Sequence, residues 1–309
     1  MKLPKTQTVV FANQKGGCGK TTGSVSVAAA LARLGYTTTI VDIDPQCNAT
    51  DSFGVNRDEL AKQRKFSVAD AYMSKVALSN IQITLPGRFN DNLTVVPGYR
   101  GLSSVQPRLE AEMHGQLANE QSSDLDADDL RNEQRARLRS AITSLQGKQD
   151  FVVIDTPPDL GFLLTTALIA ADWYIIPVFP SGYDLRGLET LARTVEKVRE
   201  RYNPTLRLLG VLIGNFDPRA KLDRDIQQML GEKFGGERIF SIVNRSVKHR
   251  EAPIYGLTIF EHQGGEQGSE QYEQVAREVI ERIEKALNIT STMPAKAEEE
   301  EIVEEVANG

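Results

Sequence analysis

The stretch Lys15-Gly-Gly-Cys-Gly-Lys-Thr-Thr22 carries the residue types needed to hold a polyphosphate. Gly16, Gly17 and Gly19 let the backbone turn with its N–H groups pointing inward, where they can cradle phosphate oxygens. A helix opening directly afterwards adds the positive end of its dipole. Lys20 supplies a point charge for the β- and γ-phosphates, the Thr21 hydroxyl is placed to ligate Mg²⁺, and Thr22 reaches an α-phosphate oxygen. Cys18 fills a small apolar position in the same loop. The general form of this loop begins with glycine. Here that position is Gln14, and a second lysine, Lys15, stands inside the loop. The bland alternative is a glycine-rich turn carrying surface lysines.

Three carboxylates sit where a hydrolytic centre needs them. Asp42 and Asp44 lie at the C-terminal end of one apolar run, and Asp155 closes another, Phe151-Val-Val-Ile-Asp155. In open α/β sheets that edge faces the ligand crevice. Hydrolysis of a terminal phosphate needs a group that orients water in line, and Mg²⁺ needs a carboxylate beside the loop hydroxyl. For Asp44 the competing reading is an N-cap ahead of Asn48 and Ala49. Thr156-Pro-Pro-Asp-Leu-Gly161, stiff at its prolines, reads as a switch that senses the γ-phosphate.

The elements that must position these groups follow from periodicity. Unbroken apolar runs predict strands over Thr8 to Ala12, Thr38 to Asp42, Leu93 to Val96, Phe151 to Asp155, Trp173 to Val178 and Leu208 to Ile213. Such runs suit central parallel strands covered on both faces. Leu185, Leu188, Leu191, Val195 and Val198 recur at spacings of three and four, as do Tyr272, Val275, Val279, Ile283 and Leu287; each set predicts one apolar helix stripe. Gly35 ends a first helix that starts near Lys20. The alternation predicts a doubly wound, mostly parallel α/β sheet flanked by helices. Residues 111–129 are polar and read as a surface excursion before a helix from about Leu130 to Leu145. The Glu-rich stretch 290–309 reads as a disordered acidic tail, leaving 1–289 as one domain.

Composition narrows the field. The chain has 309 residues, ordinary globular composition and a net charge of -6. Most of that charge lies in the tail, whose six Glu and one Lys from Ser291 onward leave the body near neutral. A globally basic nucleic-acid binder is excluded, but a local basic patch is not. Two cysteines, Cys18 and Cys47, exclude a disulfide framework and a four-cysteine metal or cluster site. No apolar run approaches a membrane span and none at the N-terminus suits a signal peptide, so a cytoplasmic location is expected. His114, His249 and His262 lack metal-ligand spacing and receive no role.

KGGCGKTT, Val41-Asp-Ile-Asp-Pro-Gln-Cys-Asn-Ala-Thr50, Phe151-Val-Val-Ile-Asp-Thr-Pro-Pro-Asp-Leu-Gly161 and Arg250-Glu-Ala-Pro-Ile-Tyr-Gly256 stand in order along the chain. Together they resemble the ParA/MinD family of deviant-Walker P-loop ATPases, and the Soj-like partition ATPases within it. The resemblance runs from about Thr8 to Leu287. Cys18 and Cys47 replace the usual Val and Gly.

The resemblance implies ATP and Mg²⁺ as cofactors and Asp44 as the water-orienting residue, with Asp44, Thr21 and Asp155 around the metal. It implies that Lys15 reaches the partner protomer's phosphates in an ATP-sandwich homodimer. Asn215 and Pro253 would line one adenine pocket, although a turn-forming Asn215 is the competing reading. Arg219 and Lys248, with Arg245 and Arg250 close by, would contact DNA phosphates. Lys248 departs from the usual arginine and loses bidentate geometry. Only 14 residues precede Lys15, so DNA binding is expected to be nonspecific and salt-sensitive, with the protein on the nucleoid. A ParB-like or other adaptor would stimulate hydrolysis, and the cargo would be plasmid, chromosome or a protein assembly. A second basic stripe, Arg131, Arg135 and Arg139, reads as the solvent side of a helix.

Three alternatives belong to the same superfamily, of which an iron–sulfur carrier or reductase needs switch-loop cysteines that Thr156-Pro-Pro-Asp-Leu-Gly161 lacks. A MinD-like membrane switch needs a basic amphipathic C-terminal helix, whereas this chain ends AEEEEIVEEVANG. A metabolic ATPase not acting on DNA needs a small-molecule pocket that the sequence does not reveal.

Overall fold

The apolar runs assemble into one seven-stranded sheet. The computed structural model describes residues 3–62, 66–118, 126–182 and 185–289. Its strands are β1 (Gln7–Phe11), β2 (Thr38–Asp42), β3 (Ile83–Thr84), β4 (Leu93–Val96), β5 (Phe151–Asp155), β6 (Trp173–Val178) and β7 (Arg207–Ile213). Their order is β3-β4-β2-β5-β1-β6-β7, and every pairing is parallel except β3 with β4. The expected strands are present to within a residue at their ends. β3, two residues long at the sheet edge, was not expected.

The main helices are α1 (Lys20–Arg33), α2 (Val105–Leu117), α3 (Ala127–Ile142), α4 (Phe162–Ala170), α5 (Leu185–Arg201), α6 (Lys221–Phe234) and α7 (Glu266–Leu287). Alternate strand residues feed two cores, as the pleat demands. Val9, Phe11, Ile40, Phe151, Val153 and Ile175 pack with α1 and α7 on one face. Val10, Val41, Val152, Ile154, Ile176 and Val211 pack with α3, α4 and α5 on the other. Burying both faces explains why the strands read as continuous apolar runs.

Two expectations need correction, and a third falls outside the described residues. The segment read as an excursion over 111–129 is helical at both ends: α2 continues to Leu117, and α3 begins at Ala127 rather than Leu130. Val105, Leu109 and Met113 bury one side of α2 at spacings of four. Leu185 falls off the α5 stripe and is 41% exposed, while Leu188, Leu191, Val195 and Val198 are buried. The acidic tail, 290–309, lies outside the described residues.

The Arg131 stripe packs as well as faces solvent. Arg135 donates to the Tyr202 hydroxyl at 2.8 Å and lies over its ring, and Arg131 pairs with Asp128. The strand order also fixes where a ligand sits. The chain leaves β1 and enters β2, but β5 lies between them, so the C-terminal ends of β1, β2 and β5 border one crevice.

Candidate nucleotide site

The loop between β1 and α1 is held open by its own side chains and its neighbours. Asn13 donates to the Pro177 carbonyl at 2.7 Å and accepts from the Lys15 N–H at 3.1 Å. Gly17 and Gly19 adopt φ of 69° and 93°, the left-handed region that favours glycine. At Gly19 a Cβ would also stand 2.4 Å from the Phe179 ring, so no larger residue fits. Lys20 is only 6% exposed, and its Nζ donates to the Lys15 carbonyl at 2.8 Å, beside the Cys18 sulfur. Phosphate oxygens would replace that internal acceptor. Lys15 is partly buried and forms no ion pair among the described residues.

The three carboxylates meet at the strand ends. Asp42 and Asp155 are register partners on adjacent parallel strands, both with no exposed surface. Thr21 Oγ1 donates to Asp155 Oδ2 at 2.8 Å, and Ser24 Oγ to Oδ1 at 3.0 Å. Asp42 accepts from the Thr50 N–H at 2.8 Å, the Thr50 hydroxyl at 2.6 Å and the Asp44 N–H at 3.1 Å. Ser24 and Thr50 escaped the sequence reading; only the tertiary fold brings them to these carboxylates.

Burial, with the Asp42 charge alongside, pushes the Asp155 carboxyl up to about 8. Burial also raises Asp42, to about 6, against the hydrogen bonds from Thr50. Asp44, 5% exposed, is raised by burial and drawn back by the Gln46 N–H and the Lys20 charge. Its Oδ1 accepts from that N–H at 2.9 Å. It does not cap the helix Asn48–Ser52, whose N-cap is Cys47 without a side-chain cap bond, so the capping alternative falls.

Thr21 and Asp155 thus form an all-oxygen donor pair at the N-terminus of α1. A hydroxyl and a carboxylate suit a hard cation such as Mg²⁺ rather than a thiolate-seeking metal. Asp44 bonds to neither of them and lies within the field of Lys20 instead. The switch segment is close to the loop: a Cβ on Gly16 would stand 3.8 Å from Pro158, and the Thr156 hydroxyl donates to the Phe11 carbonyl at 2.6 Å.

Beyond Thr22 the surface opens into two adjoining cavities. Pro253 lines a cavity of about 410 Å³ with Thr21, Thr22, Asn48 and Asp51. Asn215, held at φ 52°, lines a neighbouring cavity of about 350 Å³ with Thr22, Phe179, Arg245 and Arg250. Asn215 and Pro253 therefore line adjoining cavities, with residues of the short helical segments Lys248–Glu251 and Ala252–Tyr255 contributing to the walls. Both cavities include Thr22 and His249, the latter a residue to which the sequence assigned nothing.

Of the basic residues, Arg245 and Arg250 line the Asn215 cavity; they and Arg219 are exposed, and Lys248 is half-buried. An isolated bridge between Phe216 and Asn244 brings the Arg219 and Arg245 loops side by side. Arg219 is 89% exposed and pairs with Asp217 at 3.1 Å; Lys248 pairs with Glu251 at 2.8 Å. Arg245 and Arg250 are exposed and form no ion pair among the described residues.

Comparison with known proteins agrees with this geometry. A family model described as an AAA domain matches residues 6–208. The chain is 32% identical to the chromosome-partitioning ATPase Soj of Thermus thermophilus, over 93% of its own length and 100% of the relative's. It is also 32% identical to the chromosome partitioning protein ParA of Caulobacter vibrioides, over 91% and 97%. A solved structure of cobyrinic acid a,c-diamide synthase from Mycobacterium smegmatis, with a bound ATP analogue and magnesium, is 26% identical, with a TM-score of 0.70 over 94% of this chain and 99% of that one. The ATP complex of a Cyanothece McdA variant, 21% identical, shares the fold with a TM-score of 0.71 over 94% and 99%. With loop, paired carboxylates and fold in agreement, the chain belongs to the ParA/MinD-type P-loop ATPases.

Proposed function

We propose that the chain is a Mg²⁺-dependent ATPase of the partition type, built as one domain over residues 1–289. The observation that carries the reading is Asp44, buried at the end of β2 within the field of Lys20, where it can orient water toward a γ-phosphate. Lys20 and the loop N–H groups bind the phosphates. Thr21 and Asp155 hold Mg²⁺, which supplies charge neutralisation along the β/γ edge. Lys15, without an ion-pair partner in its own chain among the described residues, acts across an ATP-dependent homodimer on the partner's phosphates. A cation supplied in trans makes turnover depend on association. Asp44→Ala should bind ATP and dimerise without hydrolysing it, and Lys15→Gln should bind ATP yet stay monomeric. Scattering mass with ATP decides, and a dimeric Lys15→Gln contradicts the division of roles.

The same reading makes Arg219, Lys248, Arg245 and Arg250 a DNA-phosphate patch that dimerisation doubles. Each phosphate contact adds about 0.9 to the slope of log affinity against log salt, so Arg219 and Lys248 from both protomers imply roughly -3 to -4. Reversing both to Glu in the Asp44→Ala dimer should abolish DNA retention and leave ATP affinity unchanged. Hydrolysis stimulated by a ParB-like or other adaptor then releases the nucleoid and moves a plasmid, chromosomal or protein cargo. Among the described residues no helix is long and apolar enough to cross a membrane. A metabolic role is the second reading, supported by the likeness to the Mycobacterium smegmatis synthase. Wild-type ATP turnover that ignores DNA at every salt concentration would favour it.

A further inference from the structure

Thr22 is the residue that follows the phosphate loop, and it lies in the wall of both cavities. A nucleoside attached to a phosphate at Thr22 must continue into one cavity or the other. His249 is the other residue common to both walls. His249 thus borders the space on either side of Thr22.

The ring is packed on two sides. It stands edge-on to Tyr272, with centroids 5.5 Å apart at 86°. On the α7 side it closes over Gly268, where a Cβ would lie 2.8 Å from its Cε1, so only glycine admits the ring. Both ring nitrogens are buried and lack a hydrogen-bond partner within the protein. Burial holds the imidazole down to about 4, so it is neutral at physiological pH and offers one donor and one acceptor. Buried polar groups are ordinarily paired, and an unpaired one signals a partner supplied from elsewhere.

We propose that His249 is a nucleoside-contacting residue, turning about its Cβ–Cγ bond to present a ring nitrogen to the base or ribose of the nucleotide whose phosphates the Lys20 loop holds. This deepens the ATPase reading and rests on it. It gives the helical turn Lys248–Glu251 a nucleoside contact through His249, separate from the neighbouring Lys248 and its proposed DNA contact. Gly268, in the first turn of α7, serves as the seat of the ring.

The test separates nucleoside from phosphate. Calorimetry compares Mg²⁺-ATP with Mg²⁺-tripolyphosphate on wild type, His249→Leu and His249→Gln. His249→Leu should weaken ATP about tenfold, the scale of one hydrogen bond. His249→Gln, which keeps a donor and an acceptor, should recover part of the loss. Tripolyphosphate should bind all three chains within about twofold, the hydrogen bond being absent from it. Ring ¹⁵N signals of wild type add a readout free of substitution. The chain has three histidines, and the His249 signal should move with ATP but not with tripolyphosphate. An ATP affinity unchanged in His249→Leu, or a ring signal that ignores ATP, overturns the assignment while leaving the ATPase reading intact. Wild type that binds neither compound brings down both.

Discussion

The phosphate site and the basic patch lie on the same chain but are built on opposite terms. Asp42, Asp155, Asp44 and Lys20 sit at the ends of central strands or the start of α1, almost fully buried, and Asp155 is tied to Thr21 and Ser24, more than a hundred residues away in sequence. Arg219 sits on a loop and Lys248 opens the short helical turn Lys248–Glu251, and each pairs with an acid two or three residues away. Buried ions interact strongly because water cannot screen them, whereas exposed pairs contribute little. The first region is therefore expected to be intolerant of substitution and the second adjustable, and the proposed DNA affinity would be tuned at the rim.

The contrast is broken most severely at Lys20. Removing the buried ammonium should lower nucleotide affinity by about 100-fold or more, since a charge-assisted hydrogen bond to phosphate carries up to about 3 kcal/mol. Equal ATP affinity in Lys20→Ala, measured by calorimetry, would move the phosphate site elsewhere. No single charge change in the rim should approach that effect on ATP.

A smaller effect sharpens the burial side. The folded chain keeps a proton on Asp155 up to about pH 8, whereas an unfolded carboxyl gives it up near pH 4. The stability this contributes is complete below about pH 4 and is lost as pH rises through about 8. In the presence of a chelator the melting temperature should fall over that window. Asp155→Asn, neutral throughout, should flatten the decline. An identical pH profile in the variant would mean that burial does not perturb this carboxyl.

The smallest effect belongs to the rim. The Arg219 hydrogen bond holds the Asp217 carboxyl below the usual carboxylate range, with Arg245 adding its field. Asp217→Asn releases Arg219 and removes a negative charge from the patch. DNA retention by the ATP-bound protein should rise a few-fold, with hydrolysis unaltered. A decrease would show that Asp217 positions the guanidinium for phosphate instead of competing with it.

These regions also differ in how far the sequence reveals them. Val152 to Ile154 and Val9 to Phe11 are apolar because both faces of their strands are covered, so the run itself marks the strand. KGGCGKTT is local chemistry, and a linear reading finds it. β3 pairs over two residues and carries no such signature. α2 looked irregular because only Val105, Leu109 and Met113 bury, with Pro107 in its first turn, where proline is tolerated. Ser24 and Thr50 are ordinary polar residues until β5 and β2 bring their carboxylates to them. His249 becomes visible only when two loops enclose cavities around it.

The strand order sets a schedule for biosynthesis. β1, with the phosphate loop, and β2, with Asp42 and Asp44, emerge from the ribosome early, yet β5 is the strand that joins them. More than a hundred residues separate Asp42 from its register partner Asp155. Until Phe151–Asp155 is made, the nascent chain has two apolar strands with no middle and a phosphate loop without the carboxylate that its first threonine bonds. Closing so long a connection is entropically slow, and unpaired strand edges attract aggregation meanwhile. A chain truncated before β5 therefore carries the family's most recognisable motif without Asp155, the acceptor of the Thr21 hydroxyl.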